Sequence, residues 1–301
     1  MGKIKIFYII PVVLWGILAF TGQRVFLKNH LETPLSAFHE SDQWRLILSQ
    51  ANGAGDYAAA ALRVSELFLG APYKLSPLGE GAGKPPDEDP MFAVEAFDCL
   101  SLVEISLAAA YGGTKEGTLN VLRAIRYKGS KVDYDERNHF MMAQWIPSNI
   151  KKGFVKDITD FIGGDKVIVE SKEYTEKSWA ARKQGKGIEL SEANRPKGIY
   201  SIKVVPVDKA LDVIDNIPAG AIMSVVREDF YTMPFRISHL GFIVIRNGER
   251  YFRHASQTGW QKVVDVPLKE YIERISKYSK WRVTGLNFLY PKPPVERVTD
   301  K

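Results

Sequence analysis

Phe97-Asp98-Cys99-Leu100-Ser101-Leu102-Val103-Glu104 (FDCLSLVE) holds the chain's one cysteine. Asp98 is a natural N-cap, and Leu100, Leu102, Val103 and Leu107 give an apolar face behind it. The spacing therefore predicts a helix starting at Cys99 and running to about Tyr111. In the first turn of a helix the unpaired N–H groups and the helix dipole favour an anion, an environment that lowers thiol pKa values. Cys99 is thus a candidate nucleophile. A small buried hydrophobe fits the same eight residues, because free cysteine is often buried.

Before this helix, Ser76 to Pro90 is rich in Gly and Pro and reads as a loop. Helices are expected from about Asp42 to Gln50, Asp56 to Leu69 and Thr118 to Tyr127, and 23–55 reads as a connecting region. The Lys- and Glu-rich stretch from Lys151 to Lys197 reads as an insertion, strand at Lys166–Glu170 and otherwise partly helical. Short β-branched runs come next at Tyr200–Val205, Ala221–Val226, Ser238–Ile245, Tyr251–Ala255 and Trp281–Leu289. Helices first and strands afterwards indicate an α+β domain, expected over 56–290, with an antiparallel sheet. Residues 291–301 read as a C-terminal tail.

A neutral thiol needs a base, and histidine is the usual one. Of five histidines, His30 and His39 sit in the polar N-terminal region and read as surface residues. His239 opens the run HLGFIVI and His254 closes YFRHAS, with Asn247-Gly248 between them as a tight-turn signal. If those two residues form the turn, Gly241 faces His254 and His239 faces Ser256. Both histidines then share one face as diagonal neighbours. In that arrangement His239 would take the thiol proton and His254 would orient it. Two structural histidines in a sheet remain an alternative. A metal site has few spare ligands here, its spacing is unlike structural zinc, and no metal or cofactor is expected.

The 301 residues, 45% of them hydrophobic, suffice for a substantial core. A net charge of +6 permits anionic partners, but the absence of long basic clusters gives no support to nucleic acid. Lys3 and Lys5 precede an apolar run from Ile6 to Phe20, the layout of a secretory signal over 1–22. The run is short against the roughly 20 residues of a membrane span. A poor cleavage sequence after it leaves an uncleaved anchor through residues 6–20 open. In either case the body of the chain is expected in the periplasm or cell envelope.

Together these segments resemble the NlpC-type, papain-like cysteine hydrolases of bacterial cell walls. LGAPYKLSPLGEG (69–81) resembles their Gly-x-Pro-Tyr loop, FDCLSLV their cysteine motif, and IPAGAIMSVV (217–226) with ISHLGFIV (237–244) their Pro-Gly-Asp and histidine strands. The added segment IRYKGSKVDYDERNHFMMAQWIPSN (125–149), with RHAS at 253–256, resembles the N-acetylmuramoyl-L-alanine amidase-like branch. Ala221 departs from the superfamily's frequent Asp.

The resemblance implies a papain-like α+β fold with the Cys99 helix packed on a sheet carrying both histidines. It implies Cys99 as nucleophile, His239 as base and His254 as orienter, with Tyr73 beside the cysteine. The reaction implied is hydrolysis of the amide between N-acetylmuramic acid and L-Ala in peptidoglycan or muropeptides. Arg137 would pair with a stem-peptide carboxylate, and Trp145 and Tyr127 would stack on the substrate. His139 and Asn149 would bond amides, and Ser238 and Ser256 complete the expected contact set. Alternatives are a γ-D-glutamyl-diaminopimelate endopeptidase, a non-catalytic wall-binding module and, more distantly, a lipid acyltransferase.

Overall fold

A computed structural model describes residues 34–54, 56–129, 131–181 and 188–292. The expected export segment, His30 and residues 293–301 lie outside these. Among the described residues no helix is long and apolar enough to cross a membrane.

The helical first half is built on caps. Helix α1 (Glu40–Asn52) starts after His39, whose exposed ring accepts from Ser41 N–H. Asp56 Oδ1 accepts from Ala59 N–H at 2.7 Å to start α2 (Tyr57–Glu66), and Thr114 caps α4 (Lys115–Arg126). Between them α3 (Cys99–Gly112) opens with a reciprocal capping box. Ser101 N–H donates to Asp98 Oδ1 at 2.7 Å, and Asp98 N–H to Ser101 Oγ at 2.9 Å. The added segment forms a π-helical turn (Met141–Trp145) running into α5 (Ile146–Lys151). Two short helices come after it, α6 (Thr159–Gly163) and α7 (Glu176–Ala180).

Among the described residues eight strands make one antiparallel sheet: β1 (Val155–Asp157), β2 (Ile168–Tyr174), β3 (Gly198–Pro206), β4 (Ile222–Arg227), β5 (Ile237–Arg246), β6 (Glu249–Ser256), β7 (Lys262–Pro267) and β8 (Val283–Pro291). Their order is β2-β3-β8-β4-β5-β6-β7, with β1 also on β8. The Asn-Gly signal forms the turn it predicts. Asn247 and Gly248 both take positive φ, 51° and 83°, as a type I′ hairpin requires, and Phe242 pairs with Arg253 in the expected register.

Successive side chains alternate between the faces, and the central strands β4, β5 and β8 are covered on both. Ile222, Leu240, Phe242 and Leu289 pack against Val103 and Leu107 of α3 and Trp145 of the added segment. On the opposite face Met223, Val225, Ile243, Phe252 and Phe288 meet Tyr271, Ile272 and Ile275 of α8 (Leu268–Ile275). Strand β7 and helix α8 lie outside the elements expected from sequence. β7 is a strand because KVVDVP pairs along β6 and buries Val263 and Val266. Its short alternation, stopped by Pro267, is a weak local signal.

The long loop before α3 is held from below. Arg126, 3% exposed, donates to the carbonyls of Leu78 (3.1 Å), Gly79 (3.2 Å) and Met91 (3.3 Å). These carbonyls face protein, so a buried guanidinium replaces the water they would otherwise need.

Candidate active site

The capping box that starts α3 also places Cys99. Asp98 Oδ2 accepts from Ser76 N–H at 3.1 Å, tying the loop to the helix start. Pro72 C=O accepts from Phe97 N–H at 3.0 Å. Opposite, β5 begins with an irregularity. The pairing of β4 with β5 shifts between Val225 and Val226, leaving Ser238 as the extra residue. β4 shifts against β8 as well, between Val226 and Arg227. Bulges re-aim side chains, and here the residues beside them are Ser238, His239 and Arg227.

His239 Nε2 lies 2.7 Å from His254 Nδ1. The two rings are nearly perpendicular, and Phe252 stacks on His254 at 4.8 Å. If His239 Nε2–H is the donor, Nδ1 of His239 is left unprotonated and available as a base. His254 is 2% exposed, and its Nε2 has no partner among the described residues. It is held through Nδ1 and ring packing.

A cavity of about 380 Å³ joins these groups: Tyr73, Cys99, Ser238, His239, His254 and Ser256 all line it. The electrostatics correct one expectation. Burial, and after it the Asp98 carboxylate, pushes the Cys99 thiol up to about 12, against the backbone N–H groups of Leu240, Cys99 and Leu100. The helix start is therefore outweighed by desolvation. Burial lowers His239 to about 4, helped by Arg227 and Arg274. His254 is also lowered, first by burial and then by His239 and Arg274. The resting cavity holds a neutral thiol and a neutral imidazole pair. Iodoacetamide alkylation of Cys99 is expected to keep accelerating beyond pH 10. A rate that levels off near pH 7 would show a preformed thiolate instead.

A family model described as N-acetylmuramoyl-L-alanine amidase-like (AmiA-like) matches residues 63–277, which include Tyr73, Cys99, His239 and His254. The chain belongs to this amidase-like family. Among solved structures, a Legionella pneumophila protein of the DUF1460 family is 25% identical, with a TM-score of 0.74 over 85% of this chain and 96% of that one. An N-acetylmuramoyl-L-alanine amidase from Bacteroides uniformis is 24% identical, with a TM-score of 0.59 over 82% and 98%. No curated protein matches the chain significantly.

In this amidase-like chain the expected substrate contacts divide into two groups. Tyr73 shares a cavity with Cys99: burial, and after it Cys99, raises its hydroxyl to about 12. Ser238 Oγ accepts from Arg227 Nε at 2.8 Å, and Ser256 Oγ donates to Thr258 C=O at 2.8 Å. His139 stands between a second cavity of about 620 Å³ and a smaller apolar one, its Nε2 2.7 Å from Tyr134 C=O.

The remaining residues are turned inward. Trp145 is fully buried and donates its indole N–H to Glu104 at 2.8 Å. Asn149, also fully buried, donates to the carbonyls of Ile125 (3.1 Å) and Trp145 (2.9 Å). Tyr127 is buried on Glu80. Trp145, Tyr127 and Asn149 therefore pack the added segment onto the core rather than presenting a face to a ligand. Arg137 reaches the 620 Å³ cavity, but its Nε and Nη2 are taken by Glu80 (2.7 and 2.6 Å) and Asp87 (2.9 Å). Its expected pairing with a substrate carboxylate meets an arginine already engaged by two acids.

Sequence reasoning missed Arg227, Tyr271 and Arg274, which line the Cys99 cavity. Tyr271 and Arg274 sit on α8, and the apolar spacing at Leu268, Tyr271, Ile272 and Ile275 is the helical signal that could have found them.

The half-buried His139 and His239 also couple folding to pH. His139, lowered to about 4 by burial, and His239, lowered to the same value, are neutral when folded and take up protons near 6.5 when unfolded. Stability is expected to be full above about pH 6.5 and to fall as pH drops toward 4. The slope is about 1.4 kcal/mol per pH unit for each histidine. Urea melts at pH 7.5, 5.5 and 4.5 measure this, and a flat profile would mean that the rings are solvated.

Proposed function

We propose that this chain is an exported cysteine amidase that hydrolyses the amide between the lactyl group of N-acetylmuramic acid and L-Ala of peptidoglycan stem peptides. The domain proposed is NlpC-type and papain-like, spanning 56–290 with 125–197 carrying the inserted segment. It would act in the periplasm or cell envelope behind residues 1–22, cleaved or retained as an anchor. The observation that carries the reading is the 2.7 Å His239–His254 bond in the cavity that holds Cys99. The amidase-like family match supports the substrate class.

The chemistry derives from the geometry. As Cys99 Sγ attacks the lactyl carbonyl carbon, its proton passes to His239 Nδ1, so charge develops during attack. His254 Nδ1 accepts from His239 Nε2–H and stabilises the imidazolium that results. The Cys99 N–H at the helix start and the Tyr73 hydroxyl would receive the oxyanion. Collapse returns the proton to the departing L-Ala nitrogen and leaves a lactyl thioester on Cys99. Water activated by His239 then hydrolyses that thioester, freeing the carboxylate and the thiol.

The test is the mass spectrum of products from a disaccharide muropeptide incubated with protein lacking residues 1–22. The expected product is an intact peptide beginning with L-Ala. Cleavage after γ-D-glutamate would make it an endopeptidase, and saturable binding without products a wall-binding module.

A further inference from the structure

The cavity beside Cys99 carries two guanidinium groups that no carboxylate among the described residues answers. Several arginines elsewhere in the fold meet acids: Arg137 with Glu80 and Asp87, Arg236 with Glu170, Arg253 with Asp265. Arg227 instead donates to Ser238 Oγ and Trp281 C=O, both at 2.8 Å, with the rings of Tyr278 (5.0 Å) and Trp281 (5.3 Å) against it. Among the described residues, the exposed side chain of Arg274 has no carboxylate or hydrogen-bond partner. It lies over Trp260 at 5.1 Å and Tyr271 at 5.2 Å. The one acid lining this cavity is Asp98, and its oxygens already accept from Ser101 and Ser76 N–H.

A guanidinium stacked on aromatic rings keeps its N–H edge free for a planar anion. Two cations without counter-charge, in a cleft shared with the nucleophile, form a field that draws in a negative group. We propose that Arg274, assisted by Arg227, binds the α-carboxylate of the γ-linked D-glutamate, the first free carboxylate beyond the scissile amide. This rests on the amidase reading above.

Chemistry decides which part of the substrate supplies the anion. The lactyl carboxyl is consumed in the amide, so the leaving peptide must carry it. In a stem beginning L-Ala-γ-D-Glu that carboxylate is two residues on, roughly 7 Å along an extended chain. Cys99 and Arg274 line one cavity of about 380 Å³. The consequence is specificity: stems whose D-glutamate is amidated to D-isoglutamine lose the charge-assisted bonds. Both cations also act on His239, which places them close to the reacting centre.

The experiment compares two disaccharide tripeptides that differ only in a free or amidated α-carboxyl on the D-glutamate. With wild type, kcat/KM for the acid is expected to exceed that for the amide by about tenfold. In Arg274→Gln the ratio should fall to near one, and Arg274→Lys should keep an intermediate value. The side chain is exposed, so thermal melting of the variants should match wild type. A wild-type ratio near one, or an Arg274→Gln loss equal on both substrates, overturns the proposal. Failure of wild type to cleave either at the lactyl amide removes the amidase reading itself.

Discussion

Replacing Cys99 with alanine is expected to reduce muropeptide turnover by at least about a thousandfold while the protein stays folded. On the proposed mechanism the loss is large because covalent catalysis would have no substitute in this cavity: His239 without the thiol would be a base with nothing bonded to activate. The fold should tolerate the change. Cys99 is half-buried at the first position of α3, and the helix start is held by Asp98 and Ser101 rather than by the thiol. Loss of one sulfur from that position is worth about 1 kcal/mol or less. Steady-state rates beside circular dichroism melts would check both halves. A folded variant retaining a tenth of the activity would mean that the thiol is not the nucleophile.

Arg137→Met should act on stability instead. Glu80 has a side chain only 1% exposed and receives Arg137 in a two-bond fork. Without the arginine it keeps a hydrogen bond from Tyr127 at 2.9 Å and an otherwise uncompensated buried charge. Breaking a buried pair in this way costs about 3–5 kcal/mol, and a chain of this size should melt roughly 10 °C lower. The double variant Glu80→Gln with Arg137→Met should recover much of that loss, since no unpaired charge remains. If the single variant melts like wild type and only KM rises, Arg137 is a ligand arm after all. The loop over 76–90 should loosen in the single variant, because Glu80 N–H and Asp87 C=O pair within it.

What the sequence disclosed was local. Asp98 ahead of an apolar face spelled a helix start, and Asn247-Gly248 spelled a turn whose register put two histidines on one face. An alternating run reads the same in the chain as in the sheet. The inward turn of Trp145 and Asn149 had no such signature. A π-helical turn over Met141–Trp145 adds a residue to the helical count and rotates every later side chain of that helix about its axis. Arg137 was read as an open fork because its partners, Glu80 and Asp87, lie 57 and 50 residues away in the chain. The thiol was misjudged for a related reason. A helix start is visible in eight residues, but the burial that outweighs it is assembled from α3, β5 and the loop carrying Tyr73.

Gly241, two residues beyond His239, acts as a spacer of zero width between the hairpin's strands. A β-carbon there would press on the carbonyl of Arg253 and come within 3.0 Å of the His254 β-carbon. Any side chain would wedge β5 from β6 and open the 2.7 Å contact between the imidazoles. On the proposed mechanism, a relative with a larger residue at position 241 would keep Cys99, His239 and His254 and still lose the alignment of its two imidazoles.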